Sequence, residues 1–222
     1  SEKALENTLK DYFNDIRLSS LLKPCLITCY DIERRSARFL TQHDAARDQS
    51  RDYYIKDAAR ATSAAPTYFE TAVLKSLGGT VSYVVDGGVF ANNPALCSYA
   101  EARTEFGVTA EDIALLSVGT GNIEHPYKYE QVKDWGLAGW AKPALDIMMS
   151  GVAETVDYQL RQIFTSVNKP NQYLRVNAPL QEASHSLDDA SEENISALVK
   201  DGSAIAKKFD NQLEDFVKLL AD

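Results

Sequence analysis

The stretch VSYVVDGGVFANNPA, residues 81–95, contains a strand, a glycine turn and the start of a helix. Its β-branched run, Val81 to Val85, is typical of a buried strand. Asp86 closes that strand, and the two glycines after it let the backbone turn sharply and let another backbone come close. Pro94 suits the first position of a helix. The sequence therefore places a carboxylate at the carboxyl end of a strand.

The same alternation of strands and helices extends over the rest of the chain. It predicts an α/β fold with a mostly parallel sheet and helices on both faces. No linker divides the chain, so we expect a single domain over residues 1–222. Further strands are expected at 25–30, within 31–41, at 113–118 and at 173–176, and helices at 2–16, 52–62, 94–106, 142–165 and after Ser191, whereas 42–51 is expected to be a loop.

The composition is that of a globular protein and excludes several classes of function. Of the 222 residues, 45% are apolar and 25% are charged. The net charge of −9 argues against a nucleic-acid polymer as partner, because phosphate neutralisation needs clustered Lys and Arg. It also disfavours purely electrostatic binding to anionic membranes, although transient membrane contact through an apolar patch stays open. No apolar run approaches the roughly 20 residues that a spanning helix needs.

The three cysteines predict neither a disulfide scaffold nor a metal site. The number of cysteines is odd, and no two of them form a Cys-x-x-Cys pair; they are Cys25, Cys29 and Cys97. We expect free, largely buried thiols in a reducing compartment. The first residues, SEKALENTLKDYF, do not have the pattern of a signal peptide. A cytoplasmic protein, with peripheral membrane contact as an option, is the expectation.

The local sequence around Asp86 allows two interpretations of this residue. Partial burial at the end of a strand raises the pKa of a carboxyl group, which suits a general base. An Asp-Gly turn that hydrogen-bonds its own backbone is the common structural alternative. Asn92 and Asn93 follow the turn, and we expect them to cap the next helix. The second glycine turn, residues 119–121, lacks a following Lys, so a tight turn is favoured over a phosphate-binding loop.

Four segments together resemble the patatin-like phospholipase family. They are LKPCLITCYDIERRSARF at 22–39, RATSAAPTYF at 60–69, VVDGGVFANNPA at 84–95 and LLSVGTG at 115–121. The first is similar to the bacterial branch. The resemblance implies a three-layer patatin-like fold and a serine acyl hydrolase that needs no cofactor.

In that family a serine and an aspartate form a catalytic dyad without histidine. The resemblance assigns the aspartate to Asp86, supported by Gly87, Gly88, Asn92 and Asn93. Tyr68 and Phe69 are candidates for an acyl pocket, with core packing as the alternative. The resemblance implies a phospholipid or lysophospholipid substrate. The histidines, His43, His125 and His185, lie in polar stretches that we interpret as exposed loops.

The nucleophile of the dyad is absent from the sequence. No Gly-x-Ser-x-Gly occurs in the 222 residues. Ser117 has Leu115 two residues before it, where an elbow needs a small residue, and Ser63 and Ser150 are weaker candidates. We expect residues 1–222 to be the C-terminal part of a hydrolase domain whose serine lies in an N-terminal segment or second chain.

Two other functions remain open. One is a non-catalytic patatin-like scaffold or binding domain, because the nucleophile is absent. The other is a defence phospholipase activated by a cyclic nucleotide, because YDIERR at 30–35 resembles that bacterial branch. No residue identifies a nucleotide site.

Overall fold

A computed structural model describes residues 2–122, 127–184 and 186–221. His125 and His185 lie outside the described residues. The chain divides into two compact units, one formed by Ser1–Pro94 with Ile147–Val152 and the other by Ala95–Asp146 with Ala153–Asp222. The helices are α1 (Glu2–Phe13), α2 (Gln42–Arg47), α3 (Ile55–Thr62), α4 (Gly88–Ala91), α5 (Ala95–Phe106), α6 (Tyr129–Val132), α7 (Leu137–Ser166), α8 (Glu192–Lys208) and α9 (Asp210–Ala221), and the strands are β1 (Leu26–Asp31), β2 (Ser36–Thr41), β3 (Ala72–Lys75), β4 (Val81–Asp86), β5 (Leu115–Val118) and β6 (Tyr173–Val176).

The first unit contains a four-stranded sheet in the order β2-β1-β4-β3. Each neighbouring pair in this sheet is antiparallel. The expected mostly parallel sheet is therefore not confirmed. The reason is the length of the connections: β1–β2 and β3–β4 are hairpins, and a short turn can join only antiparallel neighbours. Gly79, with φ of +89°, supplies the left-handed residue in the second hairpin.

Two arginines, Arg34 and Arg35, lie in the turn between β1 and β2. Asp31 is fully buried, and its carboxylate accepts from the backbone N–H and the guanidinium of Arg34, at 2.9 and 2.7 Å. Arg34 also donates to Ser82 on β4. Arg35 takes the left-handed conformation that the turn needs. The buried charge is thus paired within its own hairpin, as a buried carboxylate requires.

The core of the first unit lies between the sheet and the helices α2 and α3. Leu18, Cys29, Leu74 and Val84 are fully buried there, and small alanines of α3 let the helix approach closely. α1 ends at Phe13, because Asn14 adopts a left-handed conformation typical of a helix end.

The second unit contains the parallel part of the structure. β5 and β6 pair in parallel, with Leu115 opposite Tyr173. The long helix α7 buries Leu160 and Phe164 completely, and Phe164 stacks on Tyr173 with ring centroids 6.0 Å apart. Among the described residues no helix is both long and apolar enough to cross a membrane.

Most of the expected elements are present, but the segment 42–51 and the helix after Ser191 differ from the expectation. Ser191 caps α8 as expected, since its hydroxyl accepts from the N–H of Asn194. The helix after it is interrupted at Phe209, so it forms α8 and α9. The expected loop at 42–51 is mostly helical, because the Thr41 hydroxyl caps α2, which contains His43. The strand β3 and the short helices α4 and α6 were not expected.

The α8 residue Asp201 is an anchor for the loop before that helix. It is 4% exposed, and its carboxylate accepts from the N–H groups of Gln181, Glu182 and Ala183 at 2.9 to 3.3 Å. These amides would otherwise lack partners in a partly buried site.

Replacement of Asp201 with alanine is expected to lower the free energy of unfolding by about 2–4 kcal/mol, since it leaves those amides unpaired. Urea denaturation measures the change. Ser203→Ala, on the same helix but exposed, is the control and should stay within about 0.5 kcal/mol of the wild type. An Asp201→Ala chain as stable as that control would show that the loop does not depend on the carboxylate.

Candidate active site

Asp86 lies where three segments of the first unit meet. It is the last residue of β4 and stands opposite Cys29 of β1 in the antiparallel register. Its backbone N–H donates to the carbonyl of Ala64, at 3.0 Å. The residue is half-buried. The sheet and the 64–69 loop therefore hold the backbone of Asp86, and its side chain stays partly accessible.

Residue 87 must be glycine because β1 passes too close to it for a side chain. A Cβ at this position would overlap Thr28 Oγ1 and would lie 2.5 Å from the Thr28 carbonyl oxygen. Its φ of −67° is ordinary, so the space and not the backbone conformation demands glycine. Gly88 begins α4, and its N–H donates to Asp86 Oδ1 at 2.7 Å. The turn thereby orients the carboxylate.

The pKa of Asp86 is raised above its ordinary value. Burial is the main cause, and the hydrogen bond from Gly88 opposes it in part. Within the described ranges no Lys or Arg forms an ion pair with this carboxylate, and Gly88 is its one hydrogen-bond donor. Oδ2 is left for another partner. These properties suit a proton acceptor more than a structural ion pair.

The residues after the turn have different environments. Asn92 is exposed, and its Nδ2 donates to the carbonyl of Met149 at 3.4 Å. Asn93 is 1% exposed. Both precede α5, which begins at Ala95. Their role as helix caps stays a prediction.

Tyr68 and Phe69 lie in the loop that begins at the Ala64 carbonyl. The backbone N–H groups of both residues donate to Ala65. The ring of Phe69 faces the guanidinium of Arg60, 5.9 Å from Cζ, whereas Tyr68 is 38% exposed. Neither residue is in the fully buried core. Their role in an acyl pocket stays a prediction.

The serine candidates have structural hydrogen bonds. Ser63 Oγ donates to the carbonyl of Ala59, and Ser150 Oγ to that of Ile147. Ser117 is 5% exposed, and its Oγ accepts from Arg175 Nη1 at 2.7 Å. A nucleophilic serine needs a base that accepts its proton, but the hydroxyl of Ser117 is bonded to a cation instead.

The cysteines are free thiols in the structure. Cys29 is buried, and Cys25 and Cys97 are half-buried. Burial raises the pKa of each, to about 12 for Cys29, so the thiols stay protonated at neutral pH. In the ranges that the structure covers, no group of His, Cys, Asp and Glu is arranged to hold a metal ion.

Three residues around Asp86 were missed by the sequence reasoning. Thr28 packs against Gly87, Ala64 accepts from the Asp86 N–H, and the Met149 Cε lies 3.4 Å from the position of a Cβ on Gly88. The small residues in SAAP at 63–66 were a signal for the second contact. Nothing local in the sequence indicates the contact with Met149, which comes from a distant helix.

Comparison with known proteins relates the segment that contains Asp86 to a known family. Residues 1–96, which include the Asp86 turn and the 64–69 loop, match the model of the family described as patatin-like phospholipase. The chain is 32% identical to Patatin-like protein 6 of Arabidopsis thaliana over 206 residues, or 88% of this chain and 41% of that protein. These findings support the patatin-like phospholipase family.

Two further patatin-like relatives come from the same plant. Patatin-like protein 8 is 35% identical over 181 residues, covering 78% of this chain and 34% of its own. Patatin-like protein 3 is 29% identical over 229 residues, covering 93% and 54%. The chain thus spans about a third to a half of these patatin-like relatives. Because they are plant proteins, the bacterial branch stays a prediction.

Proposed function

We propose that the complete protein hydrolyses carboxylic esters of phospholipids or lysophospholipids, with Asp86 as the base of a Ser–Asp dyad. The observation that carries the proposal is the half-buried Asp86 carboxylate, which has a raised pKa and one oxygen without a protein donor among the described residues. It lies within the segment that matches the patatin-like phospholipase family. The serine lies outside residues 1–222, in a preceding segment or a second chain.

The proposed reaction has two steps. The serine hydroxyl attacks the ester carbonyl and gives its proton to Asp86, and that proton passes to the departing alcohol. Water then attacks the acyl-serine and loses a proton to Asp86. The fatty acid leaves as the serine regains its proton. The Gly88 N–H holds Oδ1, so Oδ2 is the atom proposed to exchange protons.

The acyl chain of the substrate is proposed to bind beside the 64–69 loop, which is hydrogen-bonded to the backbone of Asp86. Tyr68 and Phe69 are proposed to contact the acyl chain, since they extend from the loop bonded to Asp86. The chain itself is proposed to be cytoplasmic, with peripheral contact at membranes where lipid substrates lie.

The pH profile of kcat/KM tests the role of Asp86. A base must be deprotonated, so activity is expected to fall as pH drops through the pKa of Asp86. Because burial raises that pKa, the fall should lie above 3.8, the ordinary value for an Asp side chain. Measurement on the complete protein with a soluble ester gives the profile. An acid limb that vanishes in a His43→Gln variant would assign the base to histidine and contradict the dyad.

A non-catalytic scaffold is the second candidate, because residues 1–222 contain no Gly-x-Ser-x-Gly. Labelling of the purified protein with a fluorophosphonate, followed by peptide mass spectrometry, separates the two. A labelled serine outside residues 1–222 supports the hydrolase. A protein with no labelled serine would favour the scaffold.

Activation by a cyclic nucleotide is another alternative. It depends on the YDIERR segment at 30–35, where Asp31 and Arg34 bind each other in the turn between β1 and β2. That pairing is a structural use of both charges. The alternative therefore depends on the resemblance to a bacterial branch alone.

A further inference from the structure

A cavity of about 440 Å³ lies in the second unit, at the carboxyl ends of β5 and β6. The two strands are parallel, and Asn177, which directly follows β6, and Asn122, in the turn after β5, contribute to its wall. Ligands of α/β proteins bind at this edge of a parallel sheet. The volume is within the range of small-molecule sites.

The cavity wall contains more donors than the protein uses. Arg175 Nη1 donates to Ser117 Oγ, and this hydrogen bond fixes the guanidinium. No described residue accepts from the other N–H groups of Arg175. Lys208 forms no ion pair with a described residue. Asn177 accepts from the N–H of Gly121 through Oδ1, at 3.0 Å, which leaves its Nδ2 group as a donor.

Gly119 provides the space for two of these side chains. A Cβ there would overlap Asn177 Oδ1 and lie 2.9 Å from Arg175 Nη2. The backbone N–H groups of Gly119 and Gly121 are already bonded, to the carbonyl of Val176 and to Asn177. The glycine turn is therefore not a phosphate loop, and side chains supply the donors in its place.

The local charge favours an anion in a chain whose net charge is −9. Three cations, Arg161, Arg175 and Lys208, line the cavity beside two carboxylates, Glu154 and Asp157. The carboxylate of Asp157 is paired with Arg161, since it accepts from Arg161 Nε at 2.9 Å, and it also accepts from the Tyr173 hydroxyl at 2.7 Å. The remaining wall has two cations and one carboxylate.

We propose that this cavity binds a small organic anion, with its oxyanion on Arg175 and Lys208. Guanidinium groups match phosphate and carboxylate oxygens in pairs. Tyr158 and Phe209 supply apolar surface on the wall, so the ligand has an apolar or planar body. This site is separate from the proposed role of Asp86 and does not depend on it.

Isothermal titration of the complete protein with phenyl phosphate and with benzoate tests the site. Saturable binding is expected, with a Kd on the order of 0.1–1 mM for a ligand of this size. Whichever of the two ligands has the lower Kd shows whether the site prefers a phosphate or a carboxylate. Benzamide, which keeps the ring without the charge, should not bind measurably.

Matched variants separate this site from general electrostatics. Lys208→Gln is expected to weaken binding about five-fold, and Glu154→Gln to strengthen it by a similar factor. Lys207→Gln, one residue earlier on α8 and outside the cavity wall, is the control and should bind as the wild type does. Thermal melting confirms that each variant is folded.

Absence of saturable binding by either oxyanion in the complete wild-type protein would overturn the proposal. So would equal weakening by Lys208→Gln and Lys207→Gln, because that result would mean attraction to the whole helix end. If the single variants Glu154→Gln and Lys208→Gln both bind the oxyanion as the wild type does, the ligand binds elsewhere and the proposal is wrong.

Discussion

Replacement of Asp86 with asparagine is expected to abolish ester hydrolysis while the fold stays at least as stable. A general base contributes roughly 10²–10⁴-fold to the rate, and a base that also activates the nucleophile lies at the upper end. We therefore expect kcat/KM of the complete protein to fall about 10³-fold or more. The asparagine keeps a carbonyl oxygen for the Gly88 N–H, so the turn is preserved.

The stability of this variant follows from the sign of the pKa shift. Burial raises the pKa of Asp86 in the folded chain, so the ionised form is less favourable there than in the unfolded chain. The contribution of this group to stability is greatest below its unfolded pKa and decreases as pH rises through its folded pKa. At neutral pH a neutral asparagine removes this cost, and the free energy of unfolding should be unchanged or higher.

The two readouts together distinguish catalysis from structure. Kinetics with a soluble ester and urea denaturation at pH 7 are measured on the same preparation. Asp134→Asn, an exposed position, serves as the control and should keep both activity and stability. An Asp86→Asn protein that retains near full activity would remove Asp86 from the mechanism, whereas a variant that loses activity only through unfolding would assign it a structural role.

Gly87→Ala is expected to disrupt the folding of the first unit. The added methyl group would overlap Thr28 Oγ1 and would lie 2.5 Å from the Thr28 carbonyl oxygen. Real Cβ atoms do not approach a backbone oxygen so closely, and this oxygen belongs to the sheet. We expect a loss of about 3 kcal/mol or more in the free energy of unfolding, or an insoluble chain.

A second substitution tests the cause of this loss. In the double variant Thr28→Ala with Gly87→Ala, the hydroxyl is gone but the carbonyl oxygen remains, so we expect little rescue. Gly202→Ala is the matched control, because a Cβ there meets nothing within 4 Å inside α8 and should stabilise the helix by up to about 1 kcal/mol. A Gly87→Ala chain as stable as the wild type would show that β1 and the turn can move apart.

Local patterns were sufficient for elements whose residues repeat a simple period. The strand Tyr173–Val176 occurs where it was expected, and Val81–Asp86 extends the expected strand by one residue. The cap at Ser191 was also predicted, because a hydroxyl, two acids and an apolar stripe occur in order there. These signals act within a few residues, so no distant contact is needed to recognise them.

Strand pairing could not be predicted in the same way. Alternating strands and helices favoured a parallel sheet, but β1–β2 and β3–β4 are antiparallel hairpins. β3, with the sequence AVLK, follows a proline-containing loop, and no strand was expected there. Its strand character comes from pairing with β4.

The sequence by itself determined that Asp86 ends a strand and that two small residues follow it, because strand propensity and glycine are local properties. It also determined which segments resemble the patatin-like family. Only the tertiary structure decided why Gly87 must be glycine, since the obstacle is the carbonyl of Thr28, far away in the chain. It likewise decided the environment of the carboxylate, because burial and the position of every neighbouring charge depend on how distant segments pack around it.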